Sequence, residues 1–426
     1  MLRARLCVLA ASSAILAGSA LSQQPPVATG SVSGHVVCAD TQRPARFAIV
    51  TLIAVPKEAA SSPDLSKQTP AQQAATALAV FGNAKLVQTQ TDVDGAYSAE
   101  GVNTGDYYVF ASVPGYVQPT NLVQAALDAG DDLHKSIPGV PQVHISANHA
   151  SLADFSAERG AAISGHARWD DGSPVSRAVV TLLPAAGKKK DLPPEFAMLA
   201  MTSVTGGGGL LAFTDDLGQY RISGLSPGDL IVQATLNTRS NLSMQGGGMN
   251  LKNAMASAQM LTVFAPDAFH QKDAKPITLH AAEERTDADL VFNLNGLQTI
   301  TGTIASAEDH HRINSGSLKL EDVNDKQFTR TGGVGPDGSF SLTFVPGGTY
   351  TLTVSEAGDE VPSSKKSPGL ALFAQTDTLR SYEDASKTVV VTDSAPSSQD
   401  FELTPAKTVK QAPDLNQMLA TPPPSL

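Results

Sequence analysis

Cysteine is almost absent from this chain of 426 residues, which contains only Cys7 and Cys38. Cys7 sits inside an apolar leader and too early to be a lipidated cysteine. Once the leader is set aside Cys38 is the single thiol, so no intramolecular disulfide can form. Cys38 itself reads as a small buried or strand-edge residue rather than a reactive one. Aromatics make up 5% of the chain and there is one tryptophan, Trp169, which leaves little material for stacking surfaces. Lysine and arginine total 30 against 41 acidic residues, for a formal charge of −11, and this argues against nucleic acid and anionic membrane surfaces as partners. After the first two dozen residues no apolar run approaches the ~20 residues needed to span a bilayer. Little of the chain reads as a long amphipathic helix. Ser/His/Asp and Cys/His constellations are missing, and the glycine string Gly206–Gly209 lacks the following Lys-Ser/Thr of a phosphate cradle.

At the N-terminus, Met1–Arg5 is short and basic and is followed by an apolar run from Leu6 to about Leu16. Ala20-Leu21-Ser22 then places small side chains where a signal peptidase reads, so cleavage is expected after Ser22. The rival, a membrane anchor, needs a longer apolar core. Residues 1–22 are therefore expected to be a signal peptide and the protein to be exported, to the periplasm, the cell surface or the medium. Removing Arg3 and Arg5 with the leader takes the charge from −11 to about −13.

Abundant instead are glycine, at 35 residues, and proline, at 27, which fit short strands and many turns. They recur in order. Gly95-Ala96-Tyr97, Gly218-Gln219-Tyr220 and Gly338-Ser339-Phe340 are each followed, ten residues after the first glycine, by Gly105, Gly228 and Gly348. The apolar positions align without a gap: Tyr97, Val102, Tyr107, Val109 and Ala111 correspond to Tyr220, Leu225, Leu230, Val232 and Ala234. The third copy has Phe340, Val345, Tyr350, Leu352 and Val354. Upstream, Val32-Ser33-Gly34 matches Ile163-Ser164-Gly165 and Ile300-Thr301-Gly302, and Pro44…Ala48–Leu52 matches Pro174…Ala178–Leu182. A spacing of about 130 residues between copies exceeds the ~20–50 of a solenoid, so each copy is a domain. Alternation at period two predicts half-buried strands, and the glycines mark hairpin turns that need positive φ. Closing strands carry Phe155, Leu290 with Phe292, and Phe401 with Leu403. The fold class expected is all-β, with three tandem immunoglobulin-like β-sandwiches over 31–158, 161–294 and 297–405, the last divergent. Short joints are expected at 156–162 and 293–299.

Variable inserts fall at 56–86, with a short helix expected over Ala71–Phe81, and at 184–212, which holds Lys188–Lys190. Further inserts fall at 239–260 and 361–386, and 406–426 reads as a Pro-rich disordered tail.

Those motifs carry a family resemblance. The pattern Ser-Gly-x-Val…Pro…Ala-x-Val-x-Leu…Thr-Asp-x-x-Gly-x-Tyr, clearest in Thr91–Tyr97 and Thr214–Tyr220, resembles that of carboxypeptidase regulatory-like domains. The resemblance covers nearly all of 31–405 and implies a transthyretin-like, carbohydrate-binding-like sandwich. It implies a fold more than an activity, because such domains accompany a separate catalytic domain or occur without any enzyme. The third copy departs from the pattern, with Gly335 at the aspartate position.

Candidate sites are few. His280-Ala281-Ala282-Glu283 has the His-x-x-Glu spacing of a zinc peptidase, but no histidine follows His311 to complete the set. Asp92 and Asp94 have calcium-loop spacing that is not repeated at Asp215 and Leu217, or at Gly335 and Asp337. Bonding to their own turn backbone is the expectation. His310-His311 reads as a solvated turn. For carbohydrate binding the candidates are Trp169 beside Asp170–Gly172, and Tyr108 and Tyr116, taken as exposed because Tyr107 faces inward. No catalytic, cofactor-binding or metal residue is expected. Three functions follow in order: a non-catalytic structural or interaction protein meeting a protein or envelope component, a carbohydrate-binding protein, and, remotely, a peptidase accessory subunit.

Overall fold

The structure is a computed structural model that describes residues 28–56, 86–185, 192–193, 196, 199, 211–239, 259–362, 376–392, 394 and 398–408. The leader at 1–22, the helix expected over 71–81, the runs at 188–190, 206–209 and 246–248, and the tail from 409 onward lie outside the described residues.

Three β-sandwiches follow one another. In the first, β1 (Thr29–Cys38) lies between β4 (Ala96–Asn103) and the short parallel strands β7 (Ala150–Leu152) and β8 (Phe155–Ala157). Facing it is a sheet ordered β3-β2-β5-β6, made of β2 (Ile49–Ala54), β3 (Val87–Gln90), β5 (Gly105–Ser112) and β6 (Gln142–Ile145). The second repeats this with β9 (Ala161–Trp169) between β12 (Gln219–Leu225) and the strands β16 (Glu284–Arg285) and β17 (Leu290–Phe292). Its second sheet is formed by β10 (Val179–Pro184), β11 (Leu211–Phe213), β13 (Gly228–Arg239), β14 (Gln259–Phe264) and β15 (Ile277–Leu279). In the third, β18 (Gln298–Ser306) lies between β21 (Ser339–Val345) and β25 (Phe401–Leu403). It faces β19 (Ser315–Asp322), β20 (Thr329–Gly333), β22 (Gly348–Pro362), β23 (Thr376–Ser381) and β24 (Ala385–Val391).

Each sandwich has its own core. Val32, Val36, Tyr97, Val109 and Phe155 belong to the first; Ile163, Tyr220, Val232, Leu290 and Phe292 to the second; Ile300, Phe340, Tyr350, Leu352 and Phe401 to the third. The closing strands run parallel to the first strand of their module, so the two ends of each module lie side by side. The hairpin glycines Gly95, Gly218 and Gly338 have φ of 78°, 75° and 75°, the left-handed region that only glycine enters without strain.

Strand β5 departs from the expected alternation over most of its length. In β5 both faces are buried from Tyr107 onward. Tyr107, Val109 and Ala111 face the first core, whereas Tyr108 and Phe110 enter a fourth apolar cluster on the outer side of the sheet. That cluster is closed by α1 (Pro119–Ala129), by Leu133 and Ile137, and by Phe196 and Leu199 from the second module's insert. The helix carries recognisable signals: Pro119 in its first turn and Gly130 at φ 84° as a left-handed cap. Its apolar stripe is short, which is why periodicity alone does not find it.

Candidate interaction site

The repeated motif residues are engaged in building the modules. Gly34 lies under the strand that closes the first sandwich, and a Cβ there would overlap the Ala153 carbonyl oxygen. Gly165 meets Ala288 O and Gly302 meets Gln399 O in the same way. Tyr97 Oη donates to Ala153 O at 2.5 Å, and Tyr220 Oη donates to Ala288 O. Burial pushes the Tyr97 phenol up to about 12, with Asp154 adding to the effect. The next residue completes the clasp: Asp154 Oδ1 accepts from His35 N, Asp289 Oδ1 from His166 N and Asp400 Oδ1 from Thr303 N, at 2.8–2.9 Å. Sequence reading missed these three aspartates. The signal was present, since each stands directly before its closing strand.

Thr91 Oγ1 accepts from Ala48 N at 2.8 Å and donates to Ala45 O at 2.6 Å, and Thr214 Oγ1 accepts from Ala178 N. Asp92 Oδ1 accepts from Asp94 N and Ala96 N, and Asp215 Oδ1 accepts from Leu217 N and Gln219 N. In the third copy Asp337 moves two positions and takes Ser339 N and Oγ instead.

Tyr220→Phe leaves the buried Ala288 carbonyl without its donor and should cost about 1–3 kcal/mol in equilibrium unfolding of the second module. Phe340, which already lacks a hydroxyl at the matching position, should tolerate Phe340→Leu with a packing cost only, about 1 kcal/mol.

The proposed sugar-stacking tyrosines are not on the surface. Tyr108 is 0% exposed and donates its hydroxyl to Leu133 O, and Tyr116 is 8% exposed and donates to Asp40 Oδ1 at 2.9 Å. The alternation that points Tyr107 inward does not leave Tyr108 to solvent, because α1 and Phe196 cover that side. Trp169 is half-buried, packed on the second core and edge-to-face with Phe292 at 5.7 Å. The three are held by different packing environments and form no common platform. His280 and Glu283 close a turn, with the His280 backbone N–H donating to Glu283 Oε2 at 2.7 Å. Among the described residues no group of three or more His, Cys, Asp or Glu is arranged to hold a metal ion.

Side chains outside the motif build the joints. At the first joint, Gln118 N and Asn121 Nδ2 both donate to Gly224 O, at 3.0 and 2.6 Å. Gly224 sits in a bulge at φ 75°, where a Cβ would come within 2.5 Å of Tyr116 O. At the second joint, His270 pairs with Asp325 at 3.0 Å, both side chains largely enclosed, and stacks on Phe328 at 4.6 Å. Phe344, at the position matching Gly224, takes the same left-handed conformation at φ 58° and packs against the second module's core.

The turn at 307–310 is exposed as expected, but the His311 ring beside it is engaged. Its Nδ1 lies 2.5 Å from Asp309 Oδ1, and its Nε2 lies 3.0 Å from both oxygens of Asp359. Tyr382 Oη donates to Asp359 Oδ2 at 2.8 Å, and Arg380 Nη1 lies 3.4 Å from Asp309 Oδ2. His310 beside it is exposed, 3.4 Å from Glu402.

No family model matches this chain, and no curated protein matches it. Among solved structures it is similar to a streptococcal ancillary pilin, at 11% identity over 89% of this chain and 100% of that one, with a TM-score of 0.23. GBS52, the minor pilin of Streptococcus agalactiae, gives 14% identity over 62% and 94%, with a TM-score of 0.22. A putative carbohydrate binding protein from Pseudomonas aeruginosa gives 19% over 26% and 90%, with a TM-score of 0.17. TM-scores this low decide neither fold nor function, which rest on the sheets and side chains above. No helix among the described residues is long and apolar enough to cross a membrane.

Proposed function

We propose that this chain is an exported, non-catalytic structural or interaction protein, a tandem of carboxypeptidase regulatory-like sandwiches that meets a protein or envelope component. The observation that carries this reading is where the recurring residues go. Thr91, Asp92, Gly95, Tyr97, Gly34 and Asp154, with their counterparts, hold turns and closing strands within each module. The side chains beyond the motif hold one module to the next.

The second reading, a carbohydrate-binding protein, rests on Trp169 alone once Tyr108 and Tyr116 are buried. The test exposes the full chain to a polysaccharide panel and to peptide substrates with and without added zinc, using Trp169→Ala as control. The expected result is no hydrolysis and no retention that depends on Trp169. Turnover of any peptide, or retention abolished by Trp169→Ala, overturns the proposal in favour of an enzyme or a lectin-like protein respectively.

A further inference from the structure

We infer that the end of the third module carries a proton-operated latch, in which the charged His311 side chain pins the turn after β18 to β22 and β23 and releases it on losing its proton. Three separate pieces of chain converge on this imidazole. Asp309 belongs to the turn itself, Asp359 to β22, and Tyr382 follows directly after β23. An imidazolium has two N–H donors, and here each finds a carboxylate: Nδ1–H meets Asp309 and Nε2–H meets Asp359. A neutral imidazole has one. Deprotonation therefore leaves one carboxylate facing a nitrogen lone pair and removes the positive charge between two negative ones.

The other groups around the ring do not take its place. Arg380 pairs with Asp309 at 3.4 Å and with Asp359 at 3.9 Å, both longer than the His311 contacts, so it offsets part of the repulsion and leaves the rest to His311. Tyr382, whose phenol burial and Asp359 push up to about 12, stays a neutral donor throughout the range. Ser306 lies beneath the turn, and its Oγ accepts from Glu308 N at 3.3 Å. His310 faces Glu402, and Glu360, beside Asp359, is bonded to Ser315 and Thr376.

The backbone around the site is irregular. His310 has φ 57°, Glu356 has φ 51°, and the β22–β23 register slips between Asp359 and Glu360. The first module has no such device at this place. Its matching turn holds Tyr116 through Asp40, with no histidine. The latch is thus an addition to the module plan and not part of it.

The two carboxylates set the direction. Asp309, then Asp359, hold the His311 pKa above the ordinary imidazole value. Its stabilisation is complete below the unfolded-chain value of about 6.5 and is lost as pH rises through the higher folded value. Asp309 is held well below the usual carboxylate range, chiefly by His311 and then Ser306, so its contribution survives until strongly acid pH. The latch is closed in mildly acid surroundings and opens toward alkaline ones.

The experiment follows the His311 ring resonances and the amide exchange of residues 307–311 by NMR in the full chain between pH 5 and 9. The expected result is a His311 pKa above the ordinary range and a loss of turn protection of at least tenfold, beyond the intrinsic base-catalysed rise, over the same interval. Asp359→Asn should return the His311 pKa toward its ordinary value, and His311→Gln should fix the turn in its unprotected state at every pH. A His311 that titrates normally, or turn protection indifferent to its charge, overturns the inference. Should a variant fail to fold, the titration of the unaltered chain decides alone.

Discussion

Gly34→Ala is expected to destabilise the first sandwich strongly. The added methyl group would overlap the Ala153 carbonyl, and β1 carries both β7 and β8 on that side, so the whole closing segment would have to lift. Lifting it breaks the Tyr97–Ala153 and Asp154–His35 hydrogen bonds together. Overpacking a core costs about 1–3 kcal/mol and occasionally more, and the lost buried hydrogen bonds add to it, so the variant should lose about 3 kcal/mol or more. Denaturant unfolding of the chain measures this as an early transition with the second and third modules intact. Gly347→Ala is the matched control: its nearest neighbour, Val391 O, lies 3.7 Å from the added Cβ, and the change should stay within about 0.5 kcal/mol. Equal effects from the two variants would refute the clasp.

Phe196→Ala should loosen the first module although the residue belongs to the second module's insert. Its ring is 0% exposed and lies 6.2 Å from both Tyr108 and Phe110, edge-on to the latter. Truncating a buried phenylalanine costs about 3–5 kcal/mol. That loss falls on the outer cluster, so hydrogen exchange should accelerate in α1 and around Leu133–Ile137 while the inner core of Val32, Val36 and Val109 keeps its protection. Unchanged exchange in α1 would mean that the insert merely rests on the sheet and that the first two modules are not coupled through it.

These two variants show where sequence reading reaches and where it stops. Gly34, Gly165 and Gly302 are visible in the sequence as repeats, but their role is not, because the carbonyl each one faces lies about 100–120 residues downstream. The aspartates Asp154, Asp289 and Asp400 are likewise in plain view, and only their bonds across the module distinguish them from other surface acids. Tyr108 was misplaced for a definite reason. Period-two alternation assigns a residue to a face of the sheet, but says nothing of what lies on that face, and here a helix and a distant insert cover it. His311 was read from its neighbours in sequence, whereas the carboxylate and phenol that fix it come from 48 and 71 residues away.

Sequence alone determined the number of sandwiches and their hairpin turns. These follow from local rules: alternation in a strand, glycine where φ must be positive, and the same rules met three times in one chain. Tertiary structure alone decided which faces are covered, how each module is joined to the next, and which ionisable groups meet. Those depend on contacts between residues far apart in the chain, for which no short-range pattern is required.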